Sequence, residues 1–385
     1  LFLLVRDEEV PKALNVIHGE MFAHAKRIHV ACIGHGTVGG TFLDRVTEER
    51  ARILSDKAVD LRLFAIASSR QLLLDKEGIG TDWRERKAAA PASEDPIREI
   101  IHYAEANYLE NVVVIDNTAS PDIADRYCEL AEQGYDLVSS NKIFNTGPYP
   151  DYLRLREILR DHRRTYRYET NVGAGLPLID NLRLLHLSGD RITRIRGLFS
   201  GTLGYILSSL GDRTSYAEAI RSAACLGYSE PDPRQDLNGL DVARKLLILA
   251  REVGISAEMS DIEVEDLVPE TLRDCSAEHF MERLDEAQSY FESLSKTSHG
   301  EVLRYVGELT IGDGTDAARL SCGLRSLPAD SALGSVSGAD SCFEIYTESY
   351  GDLPFVIRGA GAGAEVTALG VFGDLLRIAD RGELS

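Results

Sequence analysis

Ile28-His29-Val30-Ala31-Cys32-Ile33, followed directly by Gly34-His35-Gly36-Thr37-Val38-Gly39-Gly40, decides how this chain is read. The apolar, β-branched run reads as a buried strand, and Val38, Phe42 and Val46 then recur every four residues, as on one face of a helix. Between them the glycines have the spacing G-x-G-x-x-G, which gains its meaning from that strand and helix. Gly34 permits the tight turn, Gly36 lets a pyrophosphate approach the backbone, and Gly39 lets the helix pack closely on the strand. The phosphates would face the helix N-terminus, where Thr37 and Val38 complete the cofactor-binding turn.

Reading outward, Leu61–Ala67 is a second strand, ending in Ser68-Ser69-Arg70. A site for NAD(H) usually ends this strand with an acid that binds the ribose 2′-hydroxyl, whereas Asp60 lies at the strand's opposite end. Hydroxyls and a guanidinium suit a 2′-phosphate, so NADP(H) is favoured, with NAD(H) still open. Val112–Ile115 runs into Asp116-Asn117-Thr118-Ala119-Ser120-Pro121, and Leu137-Val138 into Ser139-Ser140-Asn141-Lys142. Polar residues thus stand at the C-terminal end of each strand, where open α/β sheets bind ligands, and Lys142 is placed near cofactor or substrate.

After about residue 165 the alternation of strand and helix ends. Ile192–Leu198, Leu303–Ile311, Arg319–Leu324, Phe343–Thr347 and Phe355–Arg358 read as strands, and Met259–Ser298 as a helical excursion. The expected fold is α/β: a Rossmann dinucleotide-binding domain over 27–165, completed by 359–385, and an α+β substrate and dimerisation domain over 166–358 with a mainly antiparallel sheet. In the Rossmann part the amphipathic helix Val366–Ile378 is expected to return to the first domain. The opening stretch, residues 1–26, begins on Leu1 and reads as the cut end of a preceding domain.

The composition limits the partners. With 385 residues, 42 Lys plus Arg and 62 Asp plus Glu, the net charge is −20, which repels phosphate backbones and anionic lipid surfaces. Neither nucleic acid nor membrane is expected as a partner. Six scattered cysteines, without C-x-x-C, fit reduced thiols in a cytoplasmic enzyme. The apolar runs are far shorter than the roughly 18 residues of a membrane span.

Chemistry concentrates in Gly227-Tyr228-Ser229-Glu230-Pro231-Asp232-Pro233-Arg234-Gln235-Asp236-Leu237, just ahead of a helix carrying Asp241 and Lys245. Such an i,i+4 pair is ordinarily a surface feature contributing about 0.3–0.5 kcal/mol. Here the helix is otherwise nearly all apolar over Leu240–Ala250, so the pair is expected to be partly buried, where an ammonium needs nearby acids. Paired, buried ionisable groups beside a cofactor site are catalytic candidates. Val172-Gly173-Ala174-Gly175-Leu176-Pro177 offers little side-chain chemistry, but its carbonyls, with Glu169, can face a hard cation. His35 reads as a local packing residue, and Cys225 as packing on a helix.

Ile33–Gly40, Ser139–Phe144, Tyr168–Pro177, Gly197–Tyr205 and above all Gly227–Lys245 resemble homoserine dehydrogenase, and the likeness extends over about residues 27–385. Leu1–Phe22 resembles the end of the ACT regulatory segment that precedes this domain in bifunctional aspartokinase/homoserine dehydrogenases. The resemblance implies NAD(P)H-dependent reduction of L-aspartate 4-semialdehyde to L-homoserine, toward threonine and methionine, by a homodimer with an aspartokinase domain in cis. It implies Lys245 as proton donor, Glu230 and Asp241 as substrate ligands, Asp236 as their support, and Lys142 as a contact to cofactor and substrate. These make Lys245, Lys142, Asp241 and Asp236 the catalytic set. Thr118, Ala119, Gly227 and Gly363 would line the nicotinamide side. Glu169 with the carbonyls of Val172, Ala174 and Leu176 would bind a monovalent cation, usually Na+; Asn171 stands where the family often has Thr.

Two alternatives belong to other classes. Aspartate-semialdehyde dehydrogenases share the substrate and the two-domain plan but need a nucleophilic cysteine, and no cysteine here occupies a suitable loop. A nucleotide-sensing module without catalysis would keep the Rossmann fold but has no need of Glu230, Asp241 and Lys245.

Overall fold

The computed structural model describes residues 5–14, 25–210, 214–294, 299–312 and 318–380. It divides into two compact units, residues 1–170 with 367–385 and residues 171–366. The opening segment expected to be a regulatory remnant falls largely outside the described residues, as do the ends of the Met259–Ser298 excursion and of the C-terminal segment.

The first unit is built on a six-stranded sheet in the order β3-β2-β1-β4-β5-β6. Its strands are β1 (Lys26–Ile33), β2 (Val59–Ala67), β3 (Leu72–Leu74), β4 (Val112–Asp116), β5 (Asp136–Ser139) and β6 (Tyr166–Arg167). All neighbours pair in parallel except β3, which folds back antiparallel on β2. Parallel strands are covered on both faces, so they read as apolar runs; β1 is buried from Ile28 to Ile33 and β4 throughout. The chain leaves β1 toward β2 on one side and later reaches β4 on the other, which makes the β1/β4 tips the topological switch point.

The helix Thr37–Lys57 follows the glycine turn and buries Phe42, Leu43, Val46 and Ile53 at helical spacing. Within the helix Ala364–Ala379, Ala368, Val371, Phe372, Leu375 and Ile378 enter the same apolar cluster as β1 and β2, so this terminal segment completes the first core. The return to that unit begins at Thr367, later than the expected 359. The preceding stretch stays with the second unit because β12 extends to Gly359 and Gly361 lies tight against Ser341. Likewise the first unit runs to Thr170, past the expected 165, because Tyr166–Arg167 adds a parallel strand to its sheet.

The second unit holds another six-stranded sheet, β12-β11-β7-β9-β10-β8. These are β7 (Ile192–Leu198), β8 (Ile262–Val264), β9 (Glu301–Thr310), β10 (Arg319–Pro328), β11 (Ser341–Thr347) and β12 (Phe355–Gly359). Every pairing is antiparallel except β10 with β8. Strand β8 corrects the all-helical reading of 259–298: three residues are too few to reveal a period, and the β10 edge recruits them. Cys225, expected to pack, is exposed at the end of the helix Tyr216–Cys225. Among the described residues no helix is long and apolar enough to cross a membrane.

The glycine turn sets a steric limit that can be tested. A Cβ on Gly39 would run into the Gly34 carbonyl, which is backbone and cannot step aside. Gly39→Ala should therefore cost about 1–3 kcal/mol of unfolding free energy, read by denaturant melts. Gly36→Ala, where a Cβ meets nothing within 4 Å, should leave stability nearly unchanged; equal losses would refute the assignment of close packing to Gly39.

Candidate active site

In the first unit the glycine turn is tied to both neighbouring strands. Gly34 has φ +88° and its amide donates to the Ala67 carbonyl at 3.0 Å, while Asn117 N–H donates to the Ile33 carbonyl at 2.9 Å. A Cβ on Gly34 would meet the Thr118 methyl and the Asn117 carbonyl below 3 Å, so Gly34 is required by crowding as well as by its backbone. Gly36 caps the following helix with extended backbone and has open space where a side chain would be, the clearance a pyrophosphate needs. Thr37 is exposed and Val38 half-buried in the first turn beyond it.

The tips of β4 and β5 are joined through one carboxylate. Asp116, 1% exposed, accepts from the Thr118 amide (2.8 Å) and hydroxyl (2.6 Å) on one oxygen. Its other oxygen accepts from Tyr127 (2.6 Å) and the Asn141 amide (3.0 Å). Thr118 is thereby fixed on one loop, and Lys142, the residue after Asn141, on the next. Lys142 is half-buried at the start of the short helix Ile143–Thr146, and Ala119 is exposed. Burial drives the Tyr127 phenol far above its ordinary pKa, so it serves Asp116 as a donor.

At the end of β2, Ser68 and Gln71 close a turn by the Ser68 N–H to Gln71 carbonyl bond of 2.9 Å, and Arg70 is exposed. The structure adds a residue that sequence reading missed. Lys87, only 2% exposed, places its ammonium 3.3 Å from the Ser68 hydroxyl and 3.4 Å from the Gln71 amide oxygen. Its described partners are neutral, and burial lowers its pKa. The i,i+4 relation of Lys87 to the buried Trp83 was the available signal, since it puts both on the inner face of the helix Trp83–Ala88.

In the second unit, the helix Leu240–Glu252 presents Asp241 and Lys245 one turn apart. The Lys245 ammonium lies 2.8 Å from an Asp241 carboxylate oxygen and donates to the Phe199 carbonyl at 2.7 Å. The lysine side chain is 15% exposed and the aspartate 39%, so burial falls mainly on the cation. Asp236 accepts from the Glu230 amide at 2.9 Å. Its pKa is raised, chiefly by desolvation, with the charges of Glu230 and Asp241 acting in the same direction. These four groups therefore converge. Asp232 does not act with them: Arg234 grips it with two nitrogens and also donates to the carbonyls of Arg273 and Cys275, which anchors the loop.

Thr202 is a second omission. Its hydroxyl donates to the Tyr228 carbonyl at 2.6 Å and, lying beside Asp236, favours that carboxylate's charged form. Ser200 caps the helix Gly201–Ser209, accepting from the Leu203 amide, which frees Thr202 for the acid cluster. Gly227 (φ +74°) and Gly363 (φ +117°) both use backbone that favours glycine. In the 172–176 loop, Gly173 (φ +78°) and Ala174 (φ +53°) turn the chain sharply, while Glu169, at the end of the first unit, is 2% exposed.

The two units define a dinucleotide-binding α/β protein with an appended mixed sheet that carries an acid-and-lysine cluster. The family model for homoserine dehydrogenase matches residues 177–376, and that for the homoserine dehydrogenase NAD binding domain matches residues 34–169. The chain belongs to the homoserine dehydrogenase family. It is 39% identical to the chloroplastic bifunctional aspartokinase/homoserine dehydrogenase 1 of Zea mays over 98% of its own length and 41% of that relative's. It is 35% identical to the bifunctional aspartokinase/homoserine dehydrogenase of Haemophilus influenzae, covering 97% of itself and 45% of the relative. The chain thus spans less than half the length of these fusions.

Among solved structures, a Candida auris protein described as of unknown function matches with TM-score 0.82 and 32% identity, over 93% of this chain and 99% of that one. A hyperthermophilic archaeal homoserine dehydrogenase in complex with NADPH shares the fold, with TM-score 0.70 and 21% identity over 92% of this chain and 98% of that one.

The raised pKa of Asp236 has a measurable sign. A carboxyl whose folded pKa exceeds its unfolded value near 3.8 lowers stability once pH passes that value, and the cost is complete above the folded pKa. Asp236→Asn should therefore raise Tm at pH 7, with the gain vanishing as pH falls to about 4. A lower Tm at pH 7 would show that the carboxylate is a net stabiliser.

Proposed function

We propose that this chain reduces L-aspartate 4-semialdehyde to L-homoserine with NADP(H) as the favoured cofactor and NAD(H) as the alternative. The observation that carries this reading is Lys245, held between the Asp241 carboxylate and the Phe199 carbonyl beside two further acids. The reduced nicotinamide supplies a hydride to the aldehyde carbon. The oxygen then gains negative charge, and an ammonium beside it can stabilise that charge and transfer a proton. Lys245 is the general acid in this scheme and recovers its proton from solvent.

The substrate also carries an α-ammonium. Glu230 and Asp241 hold it, and Asp236 fixes the Glu230 backbone through the 2.9 Å hydrogen bond. The same acids keep Lys245 charged in a mostly dry setting, since opposite charge offsets the effect of burial. Lys142 follows Asn141, which is fixed to Asp116, and is assigned as the contact to cofactor and substrate. The Gly34–Gly39 turn would hold the pyrophosphate, Thr118, Ala119, Gly227 and Gly363 are assigned to the nicotinamide side, and Ser68, Arg70 and Lys87 would hold the 2′-phosphate. Lys87 supports the last assignment because it is a buried cation with neutral described neighbours, and an arriving phosphate compensates its charge.

Hard oxygen donors suit a monovalent cation such as Na+ at Glu169 and the carbonyls of Val172, Ala174 and Leu176. The left-handed turns at Gly173 and Ala174 support this site. The working protein is read as a homodimer, with an aspartokinase domain in cis, acting toward threonine and methionine synthesis. Six free cysteines suit a reducing compartment such as the cytoplasm.

Lys245→Met should lower kcat by about 10²–10⁴ with aspartate semialdehyde while NADPH binding persists. If the pair were purely structural, the variant would lose Tm but keep turnover within a few-fold per folded molecule, and that result would end the proton-donor role. Arg70→Asp and Lys87→Met should each weaken NADPH by about 1.5–3 kcal/mol, tenfold or more, with little change for NADH. Parallel losses for the two cofactors, measured by fluorescence titration, would remove the 2′-phosphate contact.

A further inference from the structure

His35, in the middle of the glycine turn, has no part in the chemistry above, yet its placement is specific. Ile33 of β1 lies opposite Ala67 of β2, and the Gly34 amide is bonded to the Ala67 carbonyl. The next residues, His35 and Ser68, therefore sit at adjacent tips of the sheet. The helix Trp83–Ala88 lies beside this end, with Trp83 and Lys87 on one face. The His35 ring meets Trp83 edge-on with centroids 6.3 Å apart, and Lys87 reaches Ser68. His35 thus packs on Trp83 within the field of Lys87, the residue that reaches Ser68.

Lys87 is the charge that acts on this imidazole, and Arg84 and Arg70 are further cations at the same end, with Glu48 of the helix Thr37–Lys57 acting on Arg84. Lys87 has neutral described partners, Arg70 is exposed at the β2 tip, and Arg84 lies over Trp83 while paired to Asp44 of the helix Thr37–Lys57. Partial burial and the Lys87 charge both lower the His35 pKa below 6.5, so the ring is neutral at pH 7.5. An incoming phosphate dianion would reverse that field.

We infer that His35 is a specificity-determining residue for the cofactor's 2′-phosphate: it takes a proton from solvent as the phosphate binds and donates an N–H to it. The inference rests on the NADP(H) reading. Because the group would be protonated in the complex and neutral in the free protein, its contribution to affinity is greatest at low pH and fades as pH rises through the pKa of the complex. NADH, lacking the phosphate, has no such dependence.

Calorimetric titration of the native chain with NADPH and NADH at about pH 7.5, in two buffers of different ionisation enthalpy, counts the protons exchanged. We expect a fractional proton uptake with NADPH and none with NADH. The sign is diagnostic, because the phosphate's own second ionisation, with pKa near 6, releases a proton when the dianion is selected. From about pH 6.5 to 8.5, NADPH affinity should weaken about 3- to 10-fold relative to NADH.

In His35→Asn and His35→Gln the uptake should disappear and the relative pH dependence shrink below about twofold, with NADH affinity retained as the measure of an intact turn. Zero uptake or release in the native chain, or uptake unchanged in either variant, overturns the role of His35 even if NADPH remains preferred. If NADPH binds no more tightly than NADH at any pH, the NADP(H) reading itself fails and this inference falls with it.

Discussion

An ammonium taken out of water must find compensating charge or give up its proton. The two units answer this constraint in opposite ways, and their chemistry follows from the difference. In the second unit Lys245 has its compensation built in, from Asp241 at 2.8 Å and the Phe199 carbonyl at 2.7 Å. Its charge is therefore compensated within the fold itself. In the first unit the described partners of Lys87 are a hydroxyl and an amide oxygen, and its pKa is lowered. In the proposed function the cofactor's 2′-phosphate would supply the compensation that the described partners do not.

The same division between built-in and ligand-supplied charge runs through the loops. Asp116 is as buried as any acid among the described residues, but four donors reach its two oxygens, and a carboxylate so satisfied is a rigid joint. It binds the β4 and β5 tips into one platform on which Thr118 and Lys142 are fixed. Glu230, Asp236 and Asp241 are the reverse case. Desolvation raises the Asp236 pKa, the Glu230 amide and Thr202 act against that shift, and the charges of Glu230 and Asp241 add to it. In the proposed reaction the substrate's α-ammonium would offset these like charges.

What could be read in the sequence was local. The strand–turn–helix at 28–46 is a contiguous pattern of apolar period and glycine spacing, and every strand of the second sheet long enough to show alternation was placed. Strand β8 was not, because three residues joined to β10 owe their conformation to a distant edge. The unit boundaries moved for a similar reason: Tyr166–Arg167 and Gly359 follow sheet partners far away in sequence. At the site, Asp241 and Lys245 were legible because a charge pair interrupts an apolar helix. Lys87 and Thr202 were not, since a lysine at a short helix's end and a threonine in a helix's first turn both have ordinary explanations. Their significance comes from Ser68 and Asp236, nineteen and thirty-four residues away.

Arg234 shows why charge density alone misleads. Glu230, Asp232 and Asp236 look equivalent in a list of acids, yet the guanidinium that closes on Asp232 also reaches the carbonyls of Arg273 and Cys275 and lies over Phe280. Those bonds hold the loop down at its middle and withdraw one carboxylate from chemistry. The acids on either side are left pointing to a common space with Asp241, which the coupling of their charges to Asp236 records. Loss of Arg234 would thus damage the site twice, by loosening the loop that carries Glu230 and by adding an unneutralised charge to a cluster already under repulsion.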